Sequence, residues 1–314
     1  MAGGQERILR RRIRSVQATK KITRAMELIA ASRIVKAQAR VQAAQPYADG
    51  ITAVVRDLAA ASSAASSPLL TPRPEIRNTA TVIIAADRGL AGGYNSTVIR
   101  AGEAQMRMHE GRGRHAHVVT VGRKAEGYFR FRGQAIDASF NGFSDNPTYE
   151  DARRIGAAVA QRFENEDLDL VELVYTRFIS AGRQEVVVRP LLPLDPETLE
   201  GGDAQPEGGG GDYEFEPGPE QILEALLPRY AEARVYAALL NAAASEHAAR
   251  QRAMKAATDN AEDLILSYTR RMNRARQDSI TTEIMEIVGG AEALSQGDGA
   301  KGRARDEEYF DKSA

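Results

Sequence analysis

Side chains able to do chemistry are few in this 314-residue chain, and they gather in two places. Asp87-Arg88-Gly89-Leu90-Ala91-Gly92-Gly93-Tyr94-Asn95 follows a β-branched run and precedes a helical stretch, the setting in which phosphate loops occur. Such a loop needs glycines at fixed spacing, so that backbone amides can approach the anion. This segment fits neither G-x-G-x-x-G nor G-x-x-x-x-G-K-[ST], and no lysine follows it. It reads as a tight strand-to-helix turn needing glycine backbone angles. His115 and His117 would share one strand face, a spacing that can bind a metal ion. No cysteine accompanies them and no carboxylate stands at an evident ligand spacing, so they read as exposed histidines. His109 and His247 have no partner readable from the sequence. With no nucleophile elbow, zinc signature or acid–base carboxylate pair, the chain is expected to be non-catalytic and to hold no cofactor and no metal.

The elements that must carry these residues fall into two kinds. Arg229 to Val288 is a run of 60 residues without glycine or proline, and Gln5 to Gln45 is a second uninterrupted run. Both are rich in residues that lose little freedom in a helix. At 1.5 Å per residue the longer run would extend about 90 Å, too far to be buried within its own globule. It needs a partner, and the other end of the chain offers one. Apolar residues recur at Leu9, Ile13 and Val16, at Ile22, Met26 and Ile29, and at Ile34, Ala37 and Val41, with breaks between the groups. That predicts a narrow helix–helix seam whose breaks argue against a long regular supercoil. Pro46 is expected to bend or interrupt the helix, and Ser66-Ser67-Pro68 to end it.

Between them the period changes. Strands are predicted at Thr81 to Ala86, His117 to Val121, Gln134 to Phe140, Leu170 to Phe178 and Glu185 to Leu192. Helices are predicted from Asn95 or Ser96, either of which could cap, and from Thr148 to Phe163. This alternation predicts an α/β layer with a largely parallel sheet. The domains read as 1–67, a first long helix; 68–212, an α/β body ending in a flexible acidic loop over 195–212; 213–294, a second long helix; and 295–314, a disordered tail.

Charge is balanced overall, 42 basic against 43 acidic residues, but segregated. Arg7 to Arg40 holds eleven bases and one acid, Glu27, while Asp195 to Glu220 holds nine acids and no base. Such a chain is built to meet charged partners at defined ends. No aromatic residue precedes Tyr47 to stack on bases, so an acidic protein fits the basic helix better than nucleic acid does. The absence of cysteine excludes disulfides, thiolate metal sites and thiol switches. No apolar stretch approaches a membrane span. The basic N-terminus lacks an apolar h-region, so no signal peptide is expected and the protein should be cytosolic.

Four segments, taken in order, resemble one family: the gamma subunit of the F-type proton-translocating ATP synthase. They are Arg12-Ile13-Arg14-Ser15-Val16 with Lys20 to Arg33; the Asp87 to Asn95 turn, similar to D-R-G-L-x-G-x-Y-N; Met254 to Ala261; and Ile280 to Ala293, which fits I-T-x-E-x-x-[DE]-x-x-x-G-A-x-A at every fixed place. The resemblance covers about Arg7 to Leu294. It implies a Rossmann-like α/β body whose N- and C-terminal helices form an antiparallel coiled coil, the rotor of a central stalk. Its partners would be three alpha and three beta subunits, the epsilon subunit and the proteolipid c-ring. The chain would be a non-catalytic peripheral subunit on the cytoplasmic face of the cell membrane, reaching the membrane only through the complex.

Residue roles follow from the resemblance. Arg276, Gln277 and Thr281 would form a polar catch against a catalytic subunit, with Arg24, Met26, Arg33 and Lys36 meeting its acidic loop. Ile284, Ile287, Val288, Ala291 and Leu294 would turn in an apolar collar. Tyr213, Phe215 and Glu216 would meet the proteolipid ring or epsilon. The loop 201–211 and the tail depart from the family pattern, and without cysteine the chain is not the redox-regulated chloroplast variant. Two other readings are a nucleotide-binding enzyme using the Asp87 turn and a static coiled-coil adaptor. Micromolar nucleotide affinity would favour the first, and activity that survives crosslinking of the helices to their partner would favour the second.

Overall fold

The computed structural model describes the backbone of residues 2–61, 67–194 and 218–310, and side chains over 4–59, 67–194 and 218–292. The expected contacts of Tyr213, Phe215 and Glu216, and the acidic loop, lie outside these residues. The chain divides into two units, 25–255 and the pair of segments 1–24 and 256–314. Neither boundary coincides with the domain limits expected from sequence, because each long helix contributes to both units.

The larger unit holds a five-stranded sheet of order β3-β2-β1-β4-β5. β1 (Asn78–Ile84), β2 (His115–Val121), β3 (Ala138–Phe140) and β4 (Leu170–Phe178) are parallel, and β5 (Gln184–Leu192) returns antiparallel to β4. Every residue of β1 after the first is buried, as expected of a strand covered on both faces. Alternate residues serve opposite layers. Ile83, Val118 and Val174 pack under α2 (Tyr94–Gly111) and α3 (Arg123–Phe131), while Val82, Val119 and Leu173 join α4 (Tyr149–Glu164) on the other face. Onto that second face also pack Ile51, Val55 and Leu58 of α1 (Ala2–Ala61) and Leu223, Leu227 and Tyr230 of α5 (Pro219–Phe310).

Local chemistry sets the element ends. Thr148 caps α4 in a capping box: its hydroxyl accepts from the Asp151 amide, and the Asp151 carboxylate accepts from the Thr148 amide at 2.9 Å. α2 starts at Tyr94, one residue before the expected cap. Asn95 is occupied elsewhere, its Oδ1 accepting from the Ala86 amide at 2.9 Å, and Gly93 takes the cap position without a side-chain hydrogen bond. α3 is not legible in the sequence, being nine residues interrupted by Gly127 and crowded with charge. Its approach requires Gly122 at φ 89°, where a Cβ would collide with the Ala85 carbonyl. Gly122→Ala is expected to cost about 2 kcal/mol, read as a lowered midpoint in thermal unfolding of the full chain.

Pro46 does not end α1, which continues to Ala61. It sits on the exposed side, where its missing N–H leaves no buried carbonyl orphaned. α5 runs past Leu294, its expected end, and includes residues 295–310, which the sequence assigns to a disordered tail. Arg303, Ala304, Arg305, Glu307 and Glu308 favour helix there, against Gly297, Gly299 and Gly302 before them.

The seam corrects the expectation of broken groups. In the larger unit non-exposed residues of α1 recur at Glu27, Ala30, Ile34, Ala37, Val41, Ala44, Ala48, Ile51, Val55 and Leu58, in alternating steps of 3 and 4. In the smaller unit Leu9, Ile13, Val16, Lys20 and Thr23 keep the same steps. Ile22 and Ile29, which the apolar pattern puts in the seam, are instead 61% and 55% exposed. Polar side chains occupy the apparent gaps. Thr258 Oγ1 donates to Thr23 Oγ1 at 2.9 Å, and Thr23 Oγ1 donates to the Lys20 carbonyl at 3.1 Å. Lys20 pairs with Glu262 at 3.1 Å beside them. The helices are therefore antiparallel here, with paired residue numbers adding to about 281.

Candidate functional site

The Asp87 turn is not built as a phosphate loop. Its carboxylate already accepts three backbone amides, from Gly142 at 2.9 Å, Ser144 at 3.0 Å and Arg123 at 3.1 Å. Burial works against the charged form, but these donors outweigh it and hold the Asp87 pKa below the ordinary value. Stability from Asp87 is thus fully present above its unfolded value near 3.8 and is lost as pH falls through the lower folded value. Asp87→Asn is expected to cost about 2 kcal/mol by turning a donor toward donors. It should also flatten the loss of stability below pH 4, checked by unfolding midpoints at pH 3 to 7.

From Asp87 the network continues into α5. The Asp87 amide donates to Ser144 Oγ at 2.8 Å, and Ser144 Oγ donates to Glu246 Oε2 at 3.1 Å. Glu246 is 1% exposed and pairs with Arg250 at 2.6 Å, and Arg250 also donates to the Gly89 carbonyl at 3.3 Å. Burial pushes the Glu246 carboxyl up against the pull of Arg250. Tyr94 reaches the Ala242 carbonyl at 3.2 Å, and burial raises its phenol well above the usual range. The Arg250 guanidinium beside the glycines is therefore already neutralised, and the turn faces a helix rather than a ligand.

Among the histidines, His115 is exposed, while His117 Nδ1 lies 2.8 Å from Asp137 Oδ1. His109 is buried with its Nε2 2.7 Å from Glu172, which Gln105 also engages at 2.8 Å. His247 Nε2 donates to the Asp145 carbonyl at 3.0 Å, and burial lowers its pKa. The carboxylate partner of His109 and the carbonyl partner of His247 are hidden from sequence reasoning, since each lies more than 60 residues away, although Gln105 and Arg114 also reach the His109 ring from nearby. Among the described residues no cluster of three His, Asp or Glu side chains is arranged to hold a metal ion.

The residues expected to meet partners lie on exposed helix faces. Arg24 and Lys36 are exposed and Met26 is half-buried. Arg33 instead spends its guanidinium within the chain, on Asp145 at 2.6 Å. In the smaller unit Arg276, Gln277 and Thr281 are exposed within two turns of α5, the Thr281 hydroxyl donating back to the Gln277 carbonyl at 3.0 Å. Ile284, Ile287, Val288 and Ala291 are all exposed, Ile287 at 71%. Leu294 lies on α5, with its side chain outside the described residues. The register explains this exposure: beyond about residue 279, α5 has no counterpart on the described part of α1. From Ile280 to Val288 the helix carries five large apolar side chains that no described residue of its own unit covers.

A helix end left apolar and uncovered, on a chain whose glycine turn and three of whose four histidines are committed to internal bonds, is what an assembly subunit requires. The family model described as ATP synthase matches residues 5–294. The chain is 54% identical to the ATP synthase gamma chain of Frankia casuarinae over 299 residues, covering 94% of this chain and 99% of that one. It is 45% identical to that of Streptomyces coelicolor over 302 residues, with 93% and 97% covered. A chain from the central stalk and c-ring structure of the Tetrahymena thermophila mitochondrial ATP synthase aligns with TM-score 0.58 at 25% identity, covering 75% of this chain and 99% of that chain. One from the Euglena gracilis mitochondrial enzyme aligns with TM-score 0.64 at 17% identity, covering 94% and 96%, and shares the fold. The chain belongs to the ATP synthase gamma chain family.

Proposed function

We propose that the chain is the central-stalk rotor of an F-type ATP synthase, coupling rotation of the membrane ring to ATP synthesis without doing chemistry itself. One observation carries this reading beyond family membership: the uncovered apolar end of α5, Ile280 to Val288. A monomer has no use for it, whereas a collar of surrounding subunits would cover it. Two unequal helices make an asymmetric rod. Turned inside a three-fold ring of alpha and beta subunits, such a rod offers each catalytic subunit a different face in succession, and each face stabilises a different state of its neighbour. Epsilon and the proteolipid ring would hold the other end. No described helix is long and apolar enough to cross a membrane, so attachment to the cytoplasmic face would come through that ring.

The catch assignment draws on the same geometry. Arg276 and Gln277 are exposed on α5, and Thr281 lies about one turn further on, also facing solvent. Arg276→Ala with Thr281→Ala is expected to lower ATP-driven proton pumping in membrane vesicles several-fold, while the complex still assembles. Pumping at the wild-type level would remove these residues from the catch.

The rotor role as a whole is tested by purifying a tagged chain from its native membranes and assaying the eluate. A multi-subunit complex with ATPase activity, absent from the tagged chain alone, is the expected result. Recovery of a solitary chain that binds nucleotide would overturn it and favour an enzyme built on the Asp87 turn.

A further inference from the structure

The loop between β3 and α4, residues 141–147, touches every part of the larger unit that a rotor must hold rigid. It receives the Asp87 carboxylate through the Gly142 and Ser144 amides. It reaches α5 through Ser144 Oγ to Glu246, and through the Asp145 carbonyl to His247. It reaches α1 at two sites about two helical turns apart: Arg33 to Asp145 at 2.6 Å, and Arg40 to Asn146 and to the Pro147 carbonyl. Arg40 also donates to Tyr236 of α5 at 3.3 Å, closing the circuit. Ser144, Glu246 and His247 are all buried, so the contact with α5 is closed to solvent.

Resting on the rotor reading, we infer that this loop is the torque clamp of the molecule: Ser144 and Arg40 are positioning residues that lock α5 and α1, respectively, to the α/β body. A helix pair held to a body only by apolar packing can slide, because dispersion and burial are non-directional. Hydrogen bonds and ion pairs fix angle as well as distance, so a buried polar network resists rotation where packing alone does not. The charged residues here are set where rotation of the helices against the sheet would have to break them. The loop therefore does more than fold the body. It determines how far the body turns before the helices follow.

The test uses the assembled complex, its catalytic ring fixed to glass and its shaft held by a non-hydrolysable nucleotide. A bead is attached at Phe131→Cys, a position 88% exposed in a chain with no cysteine of its own. Its angular fluctuation reports the twist between body and ring. Two links hold each helix, Ser144 and the Asp145 carbonyl on α5 and Asp145 and the Asn146–Pro147 pair on α1, so Ser144→Ala and Arg40→Met, each cutting one of the four, should each raise the angular variance about 1.3-fold. Ser144→Thr, which keeps the hydroxyl, should restore it. ATP hydrolysis without load should stay near the wild-type rate, because the ring itself is untouched. Unchanged variance in both variants, on a wild-type complex whose bead rotates with ATP, would overturn the clamp. A wild-type bead that never rotates would instead sink the rotor reading, so the two failures are distinguishable. A variant that fails to assemble is replaced by the other, since each cuts a separate link.

Discussion

Glu246→Ala is expected to lower the stability of the full chain by about 3–5 kcal/mol, as much as truncating a large core residue. The reason lies in what is left behind. Arg250 stays buried on α5 with only the Gly89 carbonyl at 3.3 Å, and Ser144 Oγ loses its acceptor. A buried cation without its carboxylate carries its whole desolvation penalty. Glu246→Gln should cost less, since its amide oxygen can still accept from Arg250 and the Ser144 hydroxyl can turn to accept from its amide nitrogen. Replacing Glu246 and Arg250 together by leucine should recover most of the loss, because the pair as a unit contributes little net stability. Denaturant midpoints of the four proteins check this. Equal losses for the single and double replacements would mean that the damage is steric and that the ion pair has no special place.

Ile287→Lys should do the opposite: nothing to the isolated chain and great harm to the complex. At 71% exposure the side chain supports no part of its own fold, so the unfolding midpoint should move by less than about 0.5 kcal/mol. In an apolar collar the same lysine would bury an unpaired charge at a cost of several kcal/mol, corresponding to more than a tenfold loss of function. ATP-driven proton pumping in vesicles containing the variant should fall by about that factor. Ile287→Ala should leave pumping within about threefold of wild type, since it removes apolar area without adding charge. Pumping by the lysine variant at the wild-type level would place Ile287 outside any dry bearing.

The sheet is legible because β-branched runs announce strands wherever they fall, and only β3, shorter than its expected Gln134 to Phe140 span, departs by more than a few residues. The seam is legible only in part. Apolar periodicity cannot reveal Thr23 or Glu27 as interior positions, yet both are nine-tenths buried, and Ile22 and Ile29 beside them turn outward. A sequence likewise gives no sign that Ser144 and Glu246, 102 residues apart, will meet. Charged residues on a helix look solvated until tertiary structure closes over them. Asn95 has good capping chemistry but is taken by the Ala86 amide, a competition visible only when the strand and turn are in place. The exposure of Ile284 and Ile287 has a simpler origin, since a helix that outruns its seam partner leaves its apolar residues in water until another chain covers them.

The Thr23–Thr258 contact acts as a gauge of length. Two helices joined by an apolar seam could shift past one another by a heptad and still bury similar surface. Here one such shift would set Thr23 beside Ile265, and the opposite shift would set Thr258 beside Val16. Either would break the bond between the two hydroxyls and set a threonine against hydrocarbon. The overhang of α5 beyond α1 is thus measured off inside the chain itself before any partner arrives. The chain thus fixes by itself the length that any covering partner would meet.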